Sequence, residues 1–467
     1  MRTLLLFLAV TLSLAPALPP DSEPPNILLI VTDDLGTFDL GCYGNTLIET
    51  PRLDALAANG RKFTRAYAAS PVCSPSRAAI QTGLHPARMA LTEHIHGFPP
   101  PDPCWPLEPP NSMQRLPFAY TTTAEVLRDA GYATAYVGKW HLGGFNHIPS
   151  GHGFDVSYAA GPQGLPASFF PPYFNNPNLY PELNTIAGDD DYLADALTTL
   201  AIETLPQGAN GSPFFLNLNY YAPHVPIEGP PDLVAKYEAL IPADDPTEPE
   251  YAAMIEAIDR QVGRLVDTLA ARGLLDQTLI LFTSDHGALT VEEPGFPNSP
   301  PVASNGPLRG GKGSVYEGGI RVPLLAHGPG VATGEDDFIT SNVDFLPTLT
   351  AVAEAPTETL DGAEIPALTG GTVTDRNLYW HYPDYSNQGG TPAGVVRNDT
   401  YKLIDWYSDV DSVYLFNLID DPGETLNLAA DLPDVVAQLQ GELDAWKVFT
   451  GAREMTPNPI YNPDDCN

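Results

Sequence analysis

Apolar and polar residues alternate along the chain in blocks that predict strands followed by helices. Residues 26–32 form a short, continuous apolar run rich in branched side chains, which predicts a buried strand of a parallel sheet. Residues 251–272 carry apolar side chains at helical spacing and stop before Gly273, which predicts a long amphipathic helix. Further strands are predicted at 133–137, 214–218 and 278–283, and further helices at 51–59 and 122–129. This alternation indicates an α/β fold with a large, doubly wound, mixed or mostly parallel sheet flanked by helices.

The pattern changes near residue 360. Short apolar runs at 395–397, 401–404 and 414–418 are separated by Asp and Asn residues, and residues 435–446 have helical spacing. These features predict a smaller C-terminal α+β subdomain with a short antiparallel sheet. We therefore expect a large N-terminal domain over residues 26–360 and a subdomain over residues 361–467.

The first residues predict an exported protein. A basic start is followed by an apolar run at 4–14, too short to span a bilayer, and by small residues at positions 15 and 17. This pattern is typical of a cleavable signal peptide, here residues 1–17, followed by a Pro-rich linker at 18–25. No later apolar run is long enough to span a membrane, so we expect a secreted or periplasmic protein. The few cysteines do not form a disulfide scaffold, and the sequence leaves the pairing among Cys42, Cys104 and Cys466 open.

The net charge of the chain excludes some classes of binding partner. The chain has 58 Asp and Glu against 22 Lys and Arg, a formal net charge of −36. Binding to nucleic acid or to an anionic membrane surface requires a basic surface, so this composition argues against both. The 40 Gly and 50 Pro among 467 residues predict long loops between the elements.

The most specific signal is a pentapeptide with a Thr-Gly pair downstream, Cys73-Ser74-Pro75-Ser76-Arg77 and Thr82-Gly83. Together with the upstream pair Asp33-Asp34, these residues make the chain resemble the type I sulfatases of the alkaline-phosphatase-like superfamily. The resemblance extends over nearly the whole mature length. The resemblance implies that a formylglycine-generating enzyme oxidises Cys73 to an aldehyde. One hydroxyl of its hydrate would attack sulfur, and the second would later expel sulfate. Arg77 would hold the diol. The chain departs from the family pattern at Gln81 and Leu84, where the resemblance implies docking of the maturation enzyme.

Two pairs of polar residues at predicted strand ends indicate a metal site. Asp33 and Asp34 follow one strand, and Asp285 and His286 follow another. Adjacent carboxylates at a sheet edge are costly unless a cation compensates them, and their hard oxygen atoms suit Ca²⁺ or Mg²⁺. The resemblance implies one ion, bound also by the group derived from Cys73. Many family members have Asn at the position of His286, and imidazole is a softer ligand.

The resemblance assigns the remaining catalytic residues. The motif Gly-Lys-Trp-His-Leu-Gly at 138–143 supplies Lys139 as a ligand of the sulfate or the diol, and His141 as the base. His224 would contact sulfate and protonate the leaving alcohol, and Lys312 would contact the same leaving oxygen from the opposite side. Because lysine is scarce in this acidic chain, the presence of two lysines in family motifs favours an anionic substrate.

Weaker signals concern the substrate. His147 and His152 follow the Lys139 motif and are predicted to line a subsite. His381 lies in an aromatic segment, 379–382, interpreted as a loop that suits sugar rings or, equally, as packing. His94 and His96 lack further ligands nearby and are interpreted as loop residues.

We therefore predict an exported sulfatase acting on a sulfated carbohydrate. Two alternatives stay open. A phosphomonoester or phosphodiester hydrolase of the same superfamily would share the metal aspartates. A non-catalytic protein that binds sulfated glycans would share the fold.

Overall fold

The computed structural model describes residues 24–97, 102–186, 188, 191–208, 211–292, 304–356, 360–408 and 413–466. The predicted signal peptide and most of the predicted linker lie outside these residues. Within the described ranges, no helix is both long enough and apolar enough to cross a membrane.

The elements are numbered along the chain. The strands are β1 Asn26–Thr32, β2 Arg61–Tyr67, β3 Leu107–Glu108, β4 Ala133–Gly138, β5 Val156–Tyr158, β6 Phe214–Asn219, β7 Thr278–Ser284, β8 Arg321–His327, β9 Gly334–Asp336, β10 Thr340–Ser341, β11 Leu378–Tyr382, β12 Ala393–Arg397, β13 Tyr401–Trp406, β14 Val413–Asn417 and β15 Thr456–Pro457. The α-helices are α1 Pro51–Ala58, α2 Cys73–Thr82, α3 Pro86–Met89, α4 Thr123–Asp129, α5 Pro181–Ile186, α6 Leu193–Thr204, α7 Pro231–Leu240, α8 Pro249–Ala271, α9 Glu317–Ile320, α10 Phe345–Val352, α11 Pro366–Thr369 and α12 Pro433–Thr450.

Nine strands form a large mixed sheet, which confirms the α/β prediction. Its order is β10-β2-β8-β7-β1-β6-β4-β5, with β9 paired to β2. The central strands β7, β1, β6 and β4 are parallel neighbours, whereas β8 is antiparallel to both β2 and β7. The carboxyl ends of the four central strands therefore meet at one edge of the sheet.

The strand β1 shows why the sheet is buried on both faces. Leu28 and Ile30 point into one apolar layer, where α6, α7 and α8 pack. Ile27 and Leu29 point into the other layer, which includes residues of α2, α4 and α10. Successive side chains of a strand alternate between faces, so a continuous apolar run is needed where both faces are covered.

The second sheet has the order β11-β12-β13-β14, is antiparallel, and carries α12 on one side. Its first strand corrects one interpretation from sequence: residues 379–382 form part of β11 and not a loop. The side chain of Trp380 packs toward the large sheet, and its Nε1 donates to the carbonyl oxygen of Ala68 at 2.8 Å. The two parts are thus in direct contact, and the domain boundary at residue 360 stays a prediction.

One disulfide settles the cysteine pairing that the sequence left open. Cys104 and Cys466 are bonded across 362 residues, and they attach the C-terminal segment to the loop that precedes β3. Cys42 and Cys73 are free thiols.

Candidate active site

The edge formed by the central strands collects the residues that the sequence singled out. Asp33 and Asp34 follow β1, and Asp285 and His286 follow β7 in the adjacent position, because Thr32 pairs with Ser284. Lys139 follows β4 on the other side of β6. Open α/β sheets place their ligand sites at this edge. The neighbouring registers of β1, β7, β6 and β4 therefore bring together residues from four distant parts of the chain.

The helix α2 fixes the signature pentapeptide against this edge, and all ten of its residues are buried. Ser74 Oγ donates to the carbonyl oxygen of His141 at 2.9 Å, and Ser76 Oγ donates to that of Asp285 at 2.5 Å. The Arg77 Nε donates to Asp285 Oδ2 at 2.9 Å, and its Nη1 donates to the carbonyl oxygen of Lys139 at 3.0 Å. Each polar residue of the motif thus anchors a different segment of the site around Cys73.

Four ligand atoms converge in a buried cluster. One atom each from Asp33, Asp34, Cys73 and His286 lies within 4.8 Å of the others, and all four residues are buried. The Sγ of Cys73 is 3.2 Å from His286 Nε2 and 3.7 Å from Asp33 Oδ1. Asp285 Oδ1 is also buried, makes no hydrogen bond among the described residues, and is 3.6 Å from His286 Nε2. Buried carboxylate oxygens in this arrangement fit a cation.

Two lysines bring positive charge to the same place. Lys139 Nζ donates to Asp33 Oδ2. Lys312 Nζ lies 2.9 Å from Asp34 Oδ1 and 3.0 Å from its Oδ2. The loop that carries Lys312 is held by Gly313, whose amide donates to the carbonyl oxygen of Pro71 at 2.8 Å. Gly313 has φ of +81°, and a Cβ there would lie 2.2 Å from a side-chain oxygen, so only glycine fits.

The electrostatics follow from these contacts. Burial alone would raise the pKa of the Cys73 thiol, but the charges of Lys139, Lys312 and His286 lower it well below its ordinary value. Burial lowers the pKa of His286, yet the charges of Asp285 and Cys73 raise it to about 9. A lowered pKa for a thiol at the start of a buried helix, beside two lysines, is typical of a reactive position rather than a packed core cysteine.

Two histidines lie beside different residues of this cluster, His141 beside Cys73 and His224 beside Asp34. His141 follows Lys139 in a left-handed backbone conformation, with φ of 54°, and burial lowers its pKa to about 4. His224 engages the carbonyl oxygen of Val225 through Nδ1 at 2.9 Å, so its Nε2 faces the cluster, 3.9 Å from Asp34 Oδ2. The structure therefore brings together all the residues predicted for catalysis and metal binding. We name as the charged pocket the group Asp33, Asp34, Cys73, Arg77, Lys139, His141, His224, Asp285, His286 and Lys312.

The three histidines predicted for substrate contact lie elsewhere. The His147 ring stacks on Phe118 at 4.4 Å, and buried His152 stacks on the same ring at 4.8 Å. His381 uses both ring nitrogens within the second sheet region, with Tyr407 Oη at 2.7 Å and the carbonyl oxygen of Arg453 at 2.9 Å. None of the three has a hydrogen bond or ion pair with the charged pocket in the part of the chain described. Their contact with substrate stays a prediction.

The sequence interpretation missed residues that reach the pocket from other segments. Asn219, at the end of β6, accepts a hydrogen bond from Arg77 Nη1 at 3.1 Å. The segment of Glu93, His94 and Ile95 attaches to Ser74, because the Ile95 amide donates to Ser74 Oγ at 3.0 Å. A histidine followed two positions later by another was the available signal for this segment, but spacing alone does not show which pocket it faces.

A mostly parallel sheet, with a buried cysteine and convergent carboxylates at the carboxyl ends of its central strands, is typical of hydrolases of the alkaline-phosphatase-like superfamily. The sulfatase family model matches residues 25–355. A second model, N-sulphoglucosamine sulphohydrolase, C-terminal, matches residues 311–448. The chain belongs to the sulfatase family, and it is an enzyme that hydrolyses sulfate esters.

Individual relatives agree with this assignment. The chain is 32% identical to arylsulfatase A of Homo sapiens over 96% of this chain and 92% of that protein. It is 33% identical to N-acetylgalactosamine-6-sulfatase of Homo sapiens over 78% of this chain and 69% of that protein. Among solved structures, the crystal structure of Ps i-CgsB in complex with k-i-k-neocarrahexaose matches with a TM-score of 0.74 and 28% identity. That match covers 91% of this chain and 93% of the solved chain.

Proposed function

We propose that this protein removes sulfate from a sulfated carbohydrate, using a formylglycine formed from Cys73 and one divalent cation. The observation that carries the proposal is the position of Cys73. Its Sγ lies at the start of a buried helix, 3.2 Å from His286 Nε2 and 3.7 Å from Asp33 Oδ1. Core packing requires no thiol at the meeting point of three carboxylates and two lysines. A post-translationally made nucleophile accounts for its location.

The formylglycine hydrate would supply a nucleophilic oxygen and a second hydroxyl that allows sulfate to be released. The chain itself orients this group. Arg77 is held by Asp285 and by the carbonyl oxygen of Lys139, so its guanidinium stays fixed beside position 73. A fixed cation at the nucleophile stabilises developing negative charge without having to reorganise during the reaction.

Asp33, Asp34, Asp285 and His286 would hold the cation. Carboxylate oxygens dominate this set, so we propose Ca²⁺, with Mg²⁺ as the alternative. The ion would supply positive charge for the nucleophile and for one sulfate oxygen. The imidazole of His286 takes the position nearest to Cys73, and Asp34 Oδ1 lies 3.4 Å from its Nε2.

The remaining residues of the pocket would bind sulfate and move protons. Lys139 pairs with Asp33 and Lys312 pairs with Asp34. Their two ammonium groups would therefore bind the sulfate from two positions. His141 has its Nδ1 buried without a hydrogen bond in the described ranges and is available as a base for the second hydroxyl. His224, with its Nε2 directed at the pocket, is placed to protonate the leaving alcohol.

Two similar proteins support a sugar substrate, and one disulfide supports an exported protein. One relative is named for a sulfated amino sugar, and one similar structure holds a carbohydrate in its complex. The Cys104–Cys466 disulfide suits an oxidising compartment outside the cytosol. The disulfide agrees with the secreted or periplasmic location expected from the N-terminal residues.

The mass of the tryptic peptide spanning residues 66–77 tests the proposal most directly. The protein is expressed together with a formylglycine-generating enzyme, and we expect an aldehyde at position 73. The rates of hydrolysis of a matched aryl sulfate and aryl phosphate are then compared, which separates a sulfatase from a phosphatase of the same superfamily. An unmodified thiol, in cells that convert a control sulfatase, would contradict the proposed nucleophile. Preferential release of phosphate would contradict the proposed reaction.

A further inference from the structure

The segment of Glu93, His94 and Ile95 forms part of the wall of the charged pocket. The Ile95 amide donates to Ser74 Oγ at 3.0 Å, and its carbonyl oxygen lies 3.3 Å from His141 Nε2. One residue of the signature motif and one histidine of the pocket therefore hold this segment in place. In sequence, His94 lies between the anchored residue Ile95 and Glu93, whose carboxylate is buried.

Glu93 fixes the orientation of the His94 ring. Its Oε1 is 2.5 Å from His94 Nδ1, and its Oε2 accepts a hydrogen bond from Tyr382 Oη at 2.6 Å. Tyr382 belongs to β11 of the second sheet, so two parts of the protein hold this carboxylate. The carboxylate at Nδ1 favours the protonated ring, and an imidazolium carries its second N–H donor at Nε2.

The absence of a side chain at Gly97 makes room for the ring. A Cβ at Gly97 would lie 2.1 Å from both Cε1 and Nε2 of His94, and 2.4 Å from Cδ2. Nearly equal distances to three ring atoms place Gly97 over the ring face and not at its edge. The His94 side chain is 26% exposed, against 2% for Glu93, so part of the ring stays accessible.

Two residues of the charged pocket, Cys73 and Lys312, act on the pKa of His94 through their charges. Burial lowers the pKa of His94, but the hydrogen bond and charge of Glu93 raise it overall; Cys73 acts to raise it and Lys312 to lower it. Nearby Asp384 is buried against Glu93, and burial together with that charge raises its pKa well above the ordinary value. Among the contacts of the described residues, Glu93 is the carboxylate paired with the His94 ring.

We propose that His94 binds substrate, with Nε2–H donating a hydrogen bond to a second anionic group, a sulfate or a carboxylate, beside the ester that is hydrolysed. This inference rests on the proposed function and specifies its substrate as a carbohydrate with two negative charges. An imidazolium donor binds a charged oxygen about twice as strongly as a neutral one. The chain as a whole has a net charge of −36, which repels an anionic substrate. The contact of His94 with the buried carboxylate of Glu93 favours a local positive charge at the wall of the pocket.

The test compares His94→Gln with His96→Gln, a matched control. His96 is two residues away and exposed. Purified, formylglycine-containing protein is assayed on three sulfated disaccharides: one with a single sulfate, one with a second sulfate, and one with a carboxylate. We expect His94→Gln to lower kcat/KM for a doubly charged substrate, relative to the singly charged one, by roughly tenfold, mainly through KM. The control should keep the wild-type ratio. The substrate whose ratio falls identifies the bound anion.

Binding is measured separately in the Cys73→Ala background, which cannot form formylglycine. By calorimetry, His94→Gln should weaken binding of the doubly charged disaccharide by roughly tenfold, and His96→Gln should not. An unchanged ratio and an unchanged Kd in His94→Gln would overturn the inference, as would an equal effect of the control. Wild-type protein that carries the aldehyde and releases no sulfate would instead overturn the proposed function, while the binding result would still decide the role of His94.

Discussion

Two regions of this protein bury several charges, and they do so in opposite ways. At the contact between the two sheets, Lys402 Nζ lies 3.1 Å from Glu317 Oε1 and 2.9 Å from Glu424 Oε1. Tyr67 Oη donates to Glu317 Oε2 at 2.7 Å, and Arg397 Nη1 donates to the same tyrosine oxygen. We name these five residues the junction cluster. Each of its charged side chains has a partner supplied by the chain itself.

The charged pocket is equally buried but less complete. Asp285 Oδ1, Arg77 Nη2 and His141 Nδ1 make no hydrogen bond within the described ranges. Glu424 Oε1 of the junction cluster also lacks one there, but it lies 2.9 Å from Lys402 Nζ. Burial and the charge of Asp33 raise the pKa of Asp285 to about 6. Buried polar atoms are ordinarily paired, and exceptions concentrate at functional sites. The junction cluster therefore serves folding, whereas the pocket has polar atoms that are available to bind ligands.

The largest effect is expected at the nucleophile. Cys73→Ala should lower kcat/KM for an aryl sulfate at least about 10⁴-fold, because no other group in the pocket can replace a covalent nucleophile. The melting temperature should change little, since the thiol completes no hydrogen-bond network needed for folding. Activity and melting temperature are measured on the same preparation. A large loss of melting temperature would place Cys73 among residues that serve folding, and the comparison would fail.

Removal of the cation should come next. Exhaustive chelation is expected to lower turnover at least about 10³-fold, because the carboxylates and the substrate then lack the positive charge of the cation. Added Ca²⁺ or Mg²⁺ should restore turnover. The melting temperature should rise when the cation returns, as binding to the folded state alone stabilises it. Elemental analysis verifies removal. Full turnover in metal-free protein would show that the four ligand atoms serve another purpose.

Lys402→Met should produce the reverse of these results. It leaves Glu317 and Glu424 buried without their ammonium partner, which is expected to cost about 3–5 kcal/mol of unfolding free energy. Turnover per folded molecule should stay within about threefold. Urea unfolding and active-enzyme concentration are measured together.

The control for this variant neutralises the whole set. Lys402→Met combined with Glu317→Gln and Glu424→Gln should recover most of the lost stability, because no unpaired charge remains buried. Equal stability of the single variant and the wild-type protein would show that the junction cluster contributes nothing to folding.

The smallest effect concerns a buried histidine near the contact between the sheets. His85 packs edge-on against Trp446 of α12, with ring centroids 5.1 Å apart, and burial lowers its pKa to about 4. The unfolded chain takes up this proton near pH 6.5, so the stability contributed by neutral His85 is complete above pH 6.5 and is lost as the pH falls toward 4. The loss is up to about 3 kcal/mol.

His85→Phe keeps an aromatic ring against Trp446 but cannot titrate. Its unfolding free energy should therefore fall less steeply between pH 6.5 and 4.5 than that of the wild-type protein, and exposed His96→Gln should follow the wild-type slope. Urea unfolding at several pH values measures the slopes. Identical slopes for His85→Phe and the wild-type protein would assign the acid sensitivity to other groups.

Local patterns determined much of what the sequence revealed. The run at 26–32 predicted β1 with its observed bounds, and the helical spacing at 251–272 predicted α8 to within two residues at its start. The signature pentapeptide and the polar residues after strands predicted the charged pocket. These features are readable because periodicity and strand ends are properties of neighbouring residues.

Strand pairing and packing decided the rest. The run at 61–67 carries Arg and Lys between its apolar positions and was not recognised as β2, which is held by pairing with β8 from more than 250 residues away. Residues 379–382 form a strand because β12 pairs with them, and their aromatic composition alone fits a loop equally well. The His94 ring is held by Glu93, whose carboxylate also accepts from Tyr382 of the second sheet. Such contacts join segments distant in the chain, so only the tertiary structure specifies them.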